Sequence, residues 1–181
     1  VTIVNAVGYG DNGLSYFAWH IAQLGGFNYV ANENFSRTIG DENNRHNFYT
    51  IEKDADENAD FQQFIDETIS NRDENAWIVV VAGEQVVKNI TDFHFEFGGE
   101  KGETSFDFPE CITHDKQKLK QLYDDFCKTM EALQLKTDAH QVQPVMNKAN
   151  VTRYIQARTK ANVLLITVSY KLMVFDKTVY E

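Results

Sequence analysis

The residues with the clearest chemical potential form a glycine-rich turn, Gly8-Tyr9-Gly10-Asp11-Asn12-Gly13, close to the start of the chain. The turn fits the pattern G-x-G-x-x-G, and it lies between an apolar segment and a segment with apolar residues at helical spacing. Bare backbone lets a pyrophosphate approach closely, and the N–H groups at a helix start attract anions. We therefore predict that this turn and the residues after it bind the phosphates of a nucleotide: Gly8, Gly10, Asp11, Gly13, Leu14 and Ser15.

An acidic residue, Glu33, follows the second predicted strand at about 20 residues past the last glycine of the turn, where an acid that binds ribose hydroxyls is expected. This acid favours NAD over NADP as the cofactor. Arg37 and Arg45 lie in the loop beyond it, and we interpret them as surface residues. No residue is identifiable as a catalytic base, so the pattern predicts a binding site without naming a reaction.

The turn resembles the G-Y-G-D-x-G turn of the adenosylhomocysteine-hydrolase cofactor domain, and more broadly the Rossmann-type NAD(P)-binding domains. The resemblance covers about thirty residues, from the first strand to Ala31-Asn32-Glu33, and it implies a bound NAD. Residues Trp77 to Val87 resemble the fourth strand and following turn of several small dehydrogenases, which border the nicotinamide side. No part of the chain resembles the substrate domain of the hydrolase family.

The same residues fit a second pattern, G-x-x-x-x-G-K-S, in which Leu14 replaces the lysine. In this interpretation the chain resembles a degenerate P-loop of the kind found in partition-type and packaging ATPases. ATP and magnesium are then the alternative ligands, with Ser15 near the metal and Glu84 as the acidic partner. Loss of the lysine removes the main cation for the β- and γ-phosphates, so this alternative predicts a role in assembly or segregation rather than hydrolysis.

Other candidate groups are better explained by structure than by chemistry. His94, Glu96 and Asp107 fall on one face of a predicted hairpin, where a solvent-facing polar side is the simpler interpretation than a metal site. Cys111 and His114 precede a helix, and a small buried cysteine is again the simpler interpretation than a nucleophile with its base. We therefore predict no metal site.

The composition excludes several classes of protein. The chain has 181 residues, 43% of them hydrophobic, and a net charge of -10, so it suits one domain with a real core. A phosphate backbone repels such a chain, which disfavours nucleic-acid partners. No apolar run reaches the roughly 18 residues that span a bilayer, and the two cysteines lack C-x-x-C spacing. We therefore expect no membrane partner and a cytoplasmic location.

Hydrophobic periodicity predicts the elements that position the turn. Strands are expected at Thr2–Val7, Phe27–Ala31, Phe48–Glu52, Trp77–Ala82 and, as one or two strands, Val163–Phe175. Helices are expected at Leu14–Leu24, Ala59–Asn71, His114–Gln134 and Asn150–Lys160. Residues 93–97 and 105–108 alternate around a glycine turn and predict a β-hairpin, whereas Thr137–Gln143 is expected to be a linker.

This order predicts a single α/β domain over residues 1–181, with a hairpin insertion at 92–109. We expect a three-layer, Rossmann-like domain with a mostly parallel sheet and a β-hairpin or antiparallel edge. Three functions remain open at this point: a small NAD-binding protein, a lysine-less P-loop protein, and an acidic interaction protein without ligand. The phenylalanine-rich hairpin offers a surface for a homo-oligomer in the third case.

Overall fold

The fold is known from a computed structural model, which describes residues 1–7, 12–32, 48, 55–84, 93–96, 114–135, 137–139, 151–169 and 172. The strands are β1 (Thr2–Asn5), β2 (Asn28–Ala31), β3 (Trp77–Glu84), β4 (Phe93–Glu96), β5 (Thr137–Ala139) and β6 (Asn162–Ser169). The helices are α1 (Asn12–Gly25), α2 (Ala59–Ile69), α3 (Lys116–Ala132) and α4 (Val151–Gln156), and a 3₁₀ turn covers Ala55–Glu57.

The strands form one sheet in the order β2-β1-β3-β6-β4-β5. The first four strands in this order are mutually parallel, and β4 pairs antiparallel with β6 and parallel with β5. The chain passes from β1 to β2 on one side and then crosses β1 to reach β3 on the other. The strand order therefore reverses between β1 and β3, which is the topological switch point of a doubly wound sheet.

Helices cover both faces of the parallel strands because alternate strand residues point to opposite faces. On one face α2 and α4 pack on side chains that include Val4, Val80 and Leu165. On the other face α1 packs on Ile3 and Val79, and α3 packs on Leu164 of β6 through Leu119. The result is the expected three-layer, Rossmann-like α/β arrangement. Within the described residues, no helix is long and apolar enough to cross a membrane.

Helix α1 ends where the glycine pair predicts an end. Gly26 has a φ of +62°, in the left-handed region that glycine adopts without a steric penalty. The N–H of Phe27 donates to the carbonyl oxygen of Ala22 at 2.9 Å, and the N–H of Gly26 donates to the carbonyl oxygen of Gln23 at 3.3 Å. These bonds form a Schellman motif, which turns the chain sharply into β2.

Helix α3 begins at a capping residue, Asp115, whose carboxylate accepts a hydrogen bond from the backbone N–H of Lys118 at 2.9 Å. This bond and the nearby Lys118 ammonium hold the pKa of Asp115 below its ordinary value. A lowered folded-state pKa contributes stability above the unfolded-state pKa, and the contribution disappears as the pH falls through the folded-state value.

Asp115→Asn retains a capping oxygen but lacks the charge. We therefore predict that its stability falls less steeply at acidic pH than that of the parent protein. The melting temperatures of the two proteins should differ at neutral pH and converge as the pH falls below about 4. Thermal unfolding by circular dichroism between pH 3 and pH 7 measures the difference. A constant difference across this range would show that the charge of Asp115 does not stabilise the cap.

The structure corrects one predicted element and leaves others outside the described residues. Thr137–Ala139, expected to be part of a linker, forms β5 and pairs with β4. Three residues are too few to show a period of two, so pairing with β4 rather than local pattern defines this strand. Residues 105–108, the predicted second strand of the hairpin, and Tyr49–Glu52 lie outside the described residues. Strand β4 is paired on one side with β6 and on the other with β5, so Phe93–Phe95 has no free edge for the predicted hairpin partner. The last predicted strand is one continuous strand over Asn162–Ser169, and only Leu172 is described beyond it.

Candidate functional site

The first turn of α1 follows β1 after a short connection, as a phosphate-binding turn requires. Gly13, Leu14 and Ser15 all lie in this turn, because α1 begins at Asn12, two residues before the predicted start. The N–H groups in the first turn of a helix carry the positive end of the helix dipole. The structure therefore brings three of the predicted binding residues together at a helix start that points toward the carboxyl edge of the sheet.

A buried asparagine at the end of β1 fixes the side chain of Ser15. The Asn5 amide nitrogen donates a hydrogen bond to the Ser15 hydroxyl oxygen at 2.8 Å, and Asn5 is fully buried. A buried amide in an apolar sheet costs free energy unless it is hydrogen-bonded, so the bond locks both side chains. Ser15 is half-buried and thus reachable from the solvent side of the helix start.

On one side of β1, the strands β3 and β6 extend past the end of β1. Val4 is level with Val80 in the sheet, so Asn5, the last residue of β1, is level with Val81. Strand β3 continues to Glu84, paired throughout with β6, which adds three residues or roughly 10 Å beyond the level of Asn5. A step therefore lies at the β1–β3 switch point, with the start of α1 on one side and the extended β3–β6 pair on the other.

The side chain at position 14 lies in the core rather than in this step. Leu14 is fully buried and packs in the same cluster as Ile3, Ala18 and Ala22. A P-loop lysine must reach the β- and γ-phosphates from this position of the pattern. The orientation of Leu14 toward the sheet weighs against the P-loop interpretation, because a longer side chain there would enter the core.

A second opening lies beside the end of β2, one strand away from β1. It is a cavity of about 360 Å³ that is lined by the last residues of β2, by Phe48 and by one side of α2. Buried Asn32 is one of the lining residues, and its amide nitrogen donates a hydrogen bond to the carbonyl oxygen of Ala6 at 3.4 Å. Asp60 and Glu67 of α2 also line it. Their carboxylates repel phosphate but accept hydrogen bonds from hydroxyl and amino groups.

Four of the predicted binding residues, Gly8, Gly10, Asp11 and Glu33, lie outside the described residues, so their role remains a prediction. Asn5 and Asn32 were not among the predicted site residues, and the structure places them at the end of β1 and directly after β2. One signal could have found them: each is an amide side chain that follows a short apolar run, next to a predicted ligand edge.

No protein-family model, curated protein or solved structure matches this chain. Its own geometry therefore defines its class, a Rossmann-like α/β protein with a step at the switch point of a parallel sheet.

Proposed function

We propose that this protein binds a nucleotide at the β1–β3 switch point, with the phosphates against the first turn of α1. One observation carries the proposal: α1 starts directly beside the end of β1, where the sheet order reverses and where β3 and β6 continue past β1. In open α/β sheets, ligands bind in the crevice outside the carboxyl ends of the strands at such a point. The dipole of α1 supplies the charge that phosphates need.

NAD is the nucleotide that we propose first. The glycine pattern and the position of Glu33 support a dinucleotide, because the acid would accept hydrogen bonds from the adenosine ribose. The cavity beside Asn32, with Asp60 and Glu67, supports the same assignment, since its carboxylates suit the uncharged sugar and base rather than the phosphates.

A mononucleotide is the second candidate, and the strand order favours it. The parallel strands follow the order β2-β1-β3-β6, which corresponds to the 2-1-3-4 part of the flavodoxin-like arrangement, where FMN binds at the β1–β3 switch point. ATP with magnesium belongs to the same class of ligand, although the buried Leu14 weakens that choice.

Thermal unfolding with a panel of NAD, NADP, FMN and ATP with magnesium tests the proposal. A ligand at 100 times its Kd adds about 2.7 kcal/mol, which corresponds to roughly 5–10 °C in the melting temperature of a chain of this size. We expect this shift with NAD and a smaller one with NADP. A shift with FMN or ATP alone would select the mononucleotide, and no shift with any of the four would contradict the proposal.

Ser15→Ala tests whether the site lies at the start of α1. The variant should lose at least half of the ligand-induced shift, because the hydroxyl held by Asn5 lies beside the proposed phosphates. Ser70→Ala is the matched control, since Ser70 is an exposed serine just past the end of α2. The melting temperature of each unliganded variant is measured first, to separate binding from folding. Equal ligand-induced shifts in the two variants would place the ligand elsewhere.

A further inference from the structure

An apolar groove lies between α1 and α3 on the face of the sheet opposite α2 and α4. Its volume is about 450 Å³, within the range of roughly 300–1,000 Å³ that small-molecule pockets occupy. The floor consists of aliphatic side chains from three neighbouring strands: Ile3, Val79, Val81, Leu164 and Ile166. Phe17 and Ile21 of α1 form one wall, and Leu122 and Phe126 of α3 form the other.

The sheet order explains why the two helices leave this gap. Helix α1 lies over β1 and its neighbours, and α3 lies over β5 and β6, with β3 between them. Their axes are then about three strand spacings, or roughly 14 Å, apart. Helices in direct contact lie about 8–10 Å apart, so α1 and α3 leave part of the sheet uncovered between them.

The groove has a closed end and an open end. Phe93 of β4 packs against Phe17 at 6.4 Å and against Phe126 at 5.5 Å between ring centroids, and these rings close the upper end. At the lower end, Trp77 begins β3 and Lys118 lies in the first turn of α3. The Lys118 side chain is 54% exposed and Phe27 is 37% exposed, so this end of the groove reaches solvent. An apolar molecule can therefore enter from the lower edge of the sheet and end against aromatic rings.

Among the described residues that line the groove, the polar side chains lie on the α3 rim. Lys118 is the cation at the open end, and its ammonium contacts the Asp115 carboxylate at 3.2 Å in an exposed pair. An ammonium has three donors, so it can bind a second anion. Asp125 lies two turns farther along α3, and its carboxylate lies 3.7 Å from the Lys128 ammonium on the outer surface.

We propose that the groove binds a single-chain amphiphile, with its alkyl chain between α1 and α3 and an anionic head group at Lys118. The distance along α3 from Lys118 to Phe126 is about 12 Å at 1.5 Å per residue, a length that suits a medium-length alkyl chain. A carboxylate at the open end stays partly in water and meets Lys118, the only cationic side chain among the described residues that line the groove. This site is independent of the proposed nucleotide site.

The fluorescence of Trp77 gives a direct test, because the chain has two tryptophans and Trp19 is exposed on α1. In a Trp19→Phe protein, titration with sodium decanoate should produce a saturable blue shift of the Trp77 emission. Octanoate should bind about 15-fold more weakly than decanoate, since each buried methylene changes affinity about fourfold. Absence of a saturable shift, or equal affinity for the two chain lengths, would overturn the proposal.

Two pairs of variants locate the alkyl chain and the head group of the bound amphiphile. Leu122→Glu places a charge in the wall of the groove and should weaken decanoate binding at least tenfold, whereas Leu133→Glu, past the end of the same helix, should have no effect. Lys118→Gln should weaken decanoate binding about two- to fivefold, as expected for an exposed ion pair, and leave decanol binding unchanged. Lys120→Gln is its control, because Lys120 pairs with Asp124 outside the groove.

Circular dichroism of each variant first establishes that it is folded. Equal effects of the two glutamate substitutions on decanoate binding would overturn the placement of the alkyl chain. Equal effects of the two glutamine substitutions on decanoate would overturn the anionic head group.

Discussion

Leu14→Lys, the substitution that would complete a P-loop sequence, is expected to destabilise the protein by more than about 3 kcal/mol and to confer no affinity for ATP. Leu14 is fully buried on the sheet side of α1. A lysine there either leaves its ammonium among aliphatic side chains or loses its proton, and both outcomes cost free energy. The cavity-free packing of the leucine is lost as well.

Urea denaturation and ATP titration of the same samples measure the two expected effects. Leu24→Lys is the matched control, because Leu24 lies on the same helix with 78% of its surface exposed. That variant should stay within about 0.5 kcal/mol of the parent protein. If Leu14→Lys were as stable as the control, or bound ATP more tightly than the parent, then position 14 would face the phosphates and the P-loop interpretation would regain support.

Asn162→Leu is the second large effect that we expect, a loss of about 3 kcal/mol. Asn162 is the first residue of β6 and is fully buried. Its side-chain oxygen accepts a hydrogen bond from the backbone N–H of Asp115 at 2.7 Å, and its amide nitrogen donates to the carbonyl oxygen of Glu74 at 3.1 Å. Leucine has the same number of side-chain heavy atoms and a similar shape, but it leaves the backbone donor and acceptor without these partners, which is the costly case for buried polar groups.

The midpoint of urea unfolding should fall in Asn162→Leu with an unchanged slope, because the change affects the native state and not the surface exposed on unfolding. Asn28→Leu, at the exposed start of β2, is the control and should move the midpoint little. The Asn162 side chain links the start of β6, the loop before β3 and the cap of α3. A small effect would show that water replaces these bonds without cost.

Much of the fold could be predicted because the spacing of apolar residues within each segment indicates its helix or strand. Trp77–Ala82 is apolar at every position, and it forms most of β3 in the middle of the parallel strands. Phe61, Phe64, Ile65 and Thr68 recur at helical spacing, and all four are buried side chains of α2. Residues within one element contact each other in a fixed pattern, so spacing alone reveals which face is buried.

The candidate site was only partly predictable, because it depends on contacts between elements and not on spacing within one element. The pattern placed Gly13 and Ser15 at a helix start, and the structure agrees. It also put Leu14 among the binding residues on the same basis, although its side chain is a core group. A sequence motif fixes which residues occur in the first turn of a helix, but packing on the sheet decides which of them faces the ligand edge.

The sequence by itself determined the type of most of the described elements and the helix start after the glycine-rich segment. Only the tertiary structure decided the strand order, the bond from Asn5 to Ser15 and the groove between α1 and α3. The physical reason is the range of the interactions. Element types follow from neighbours three or four residues apart, whereas strand order and grooves depend on pairings between segments that are distant in sequence, such as β3 with β6.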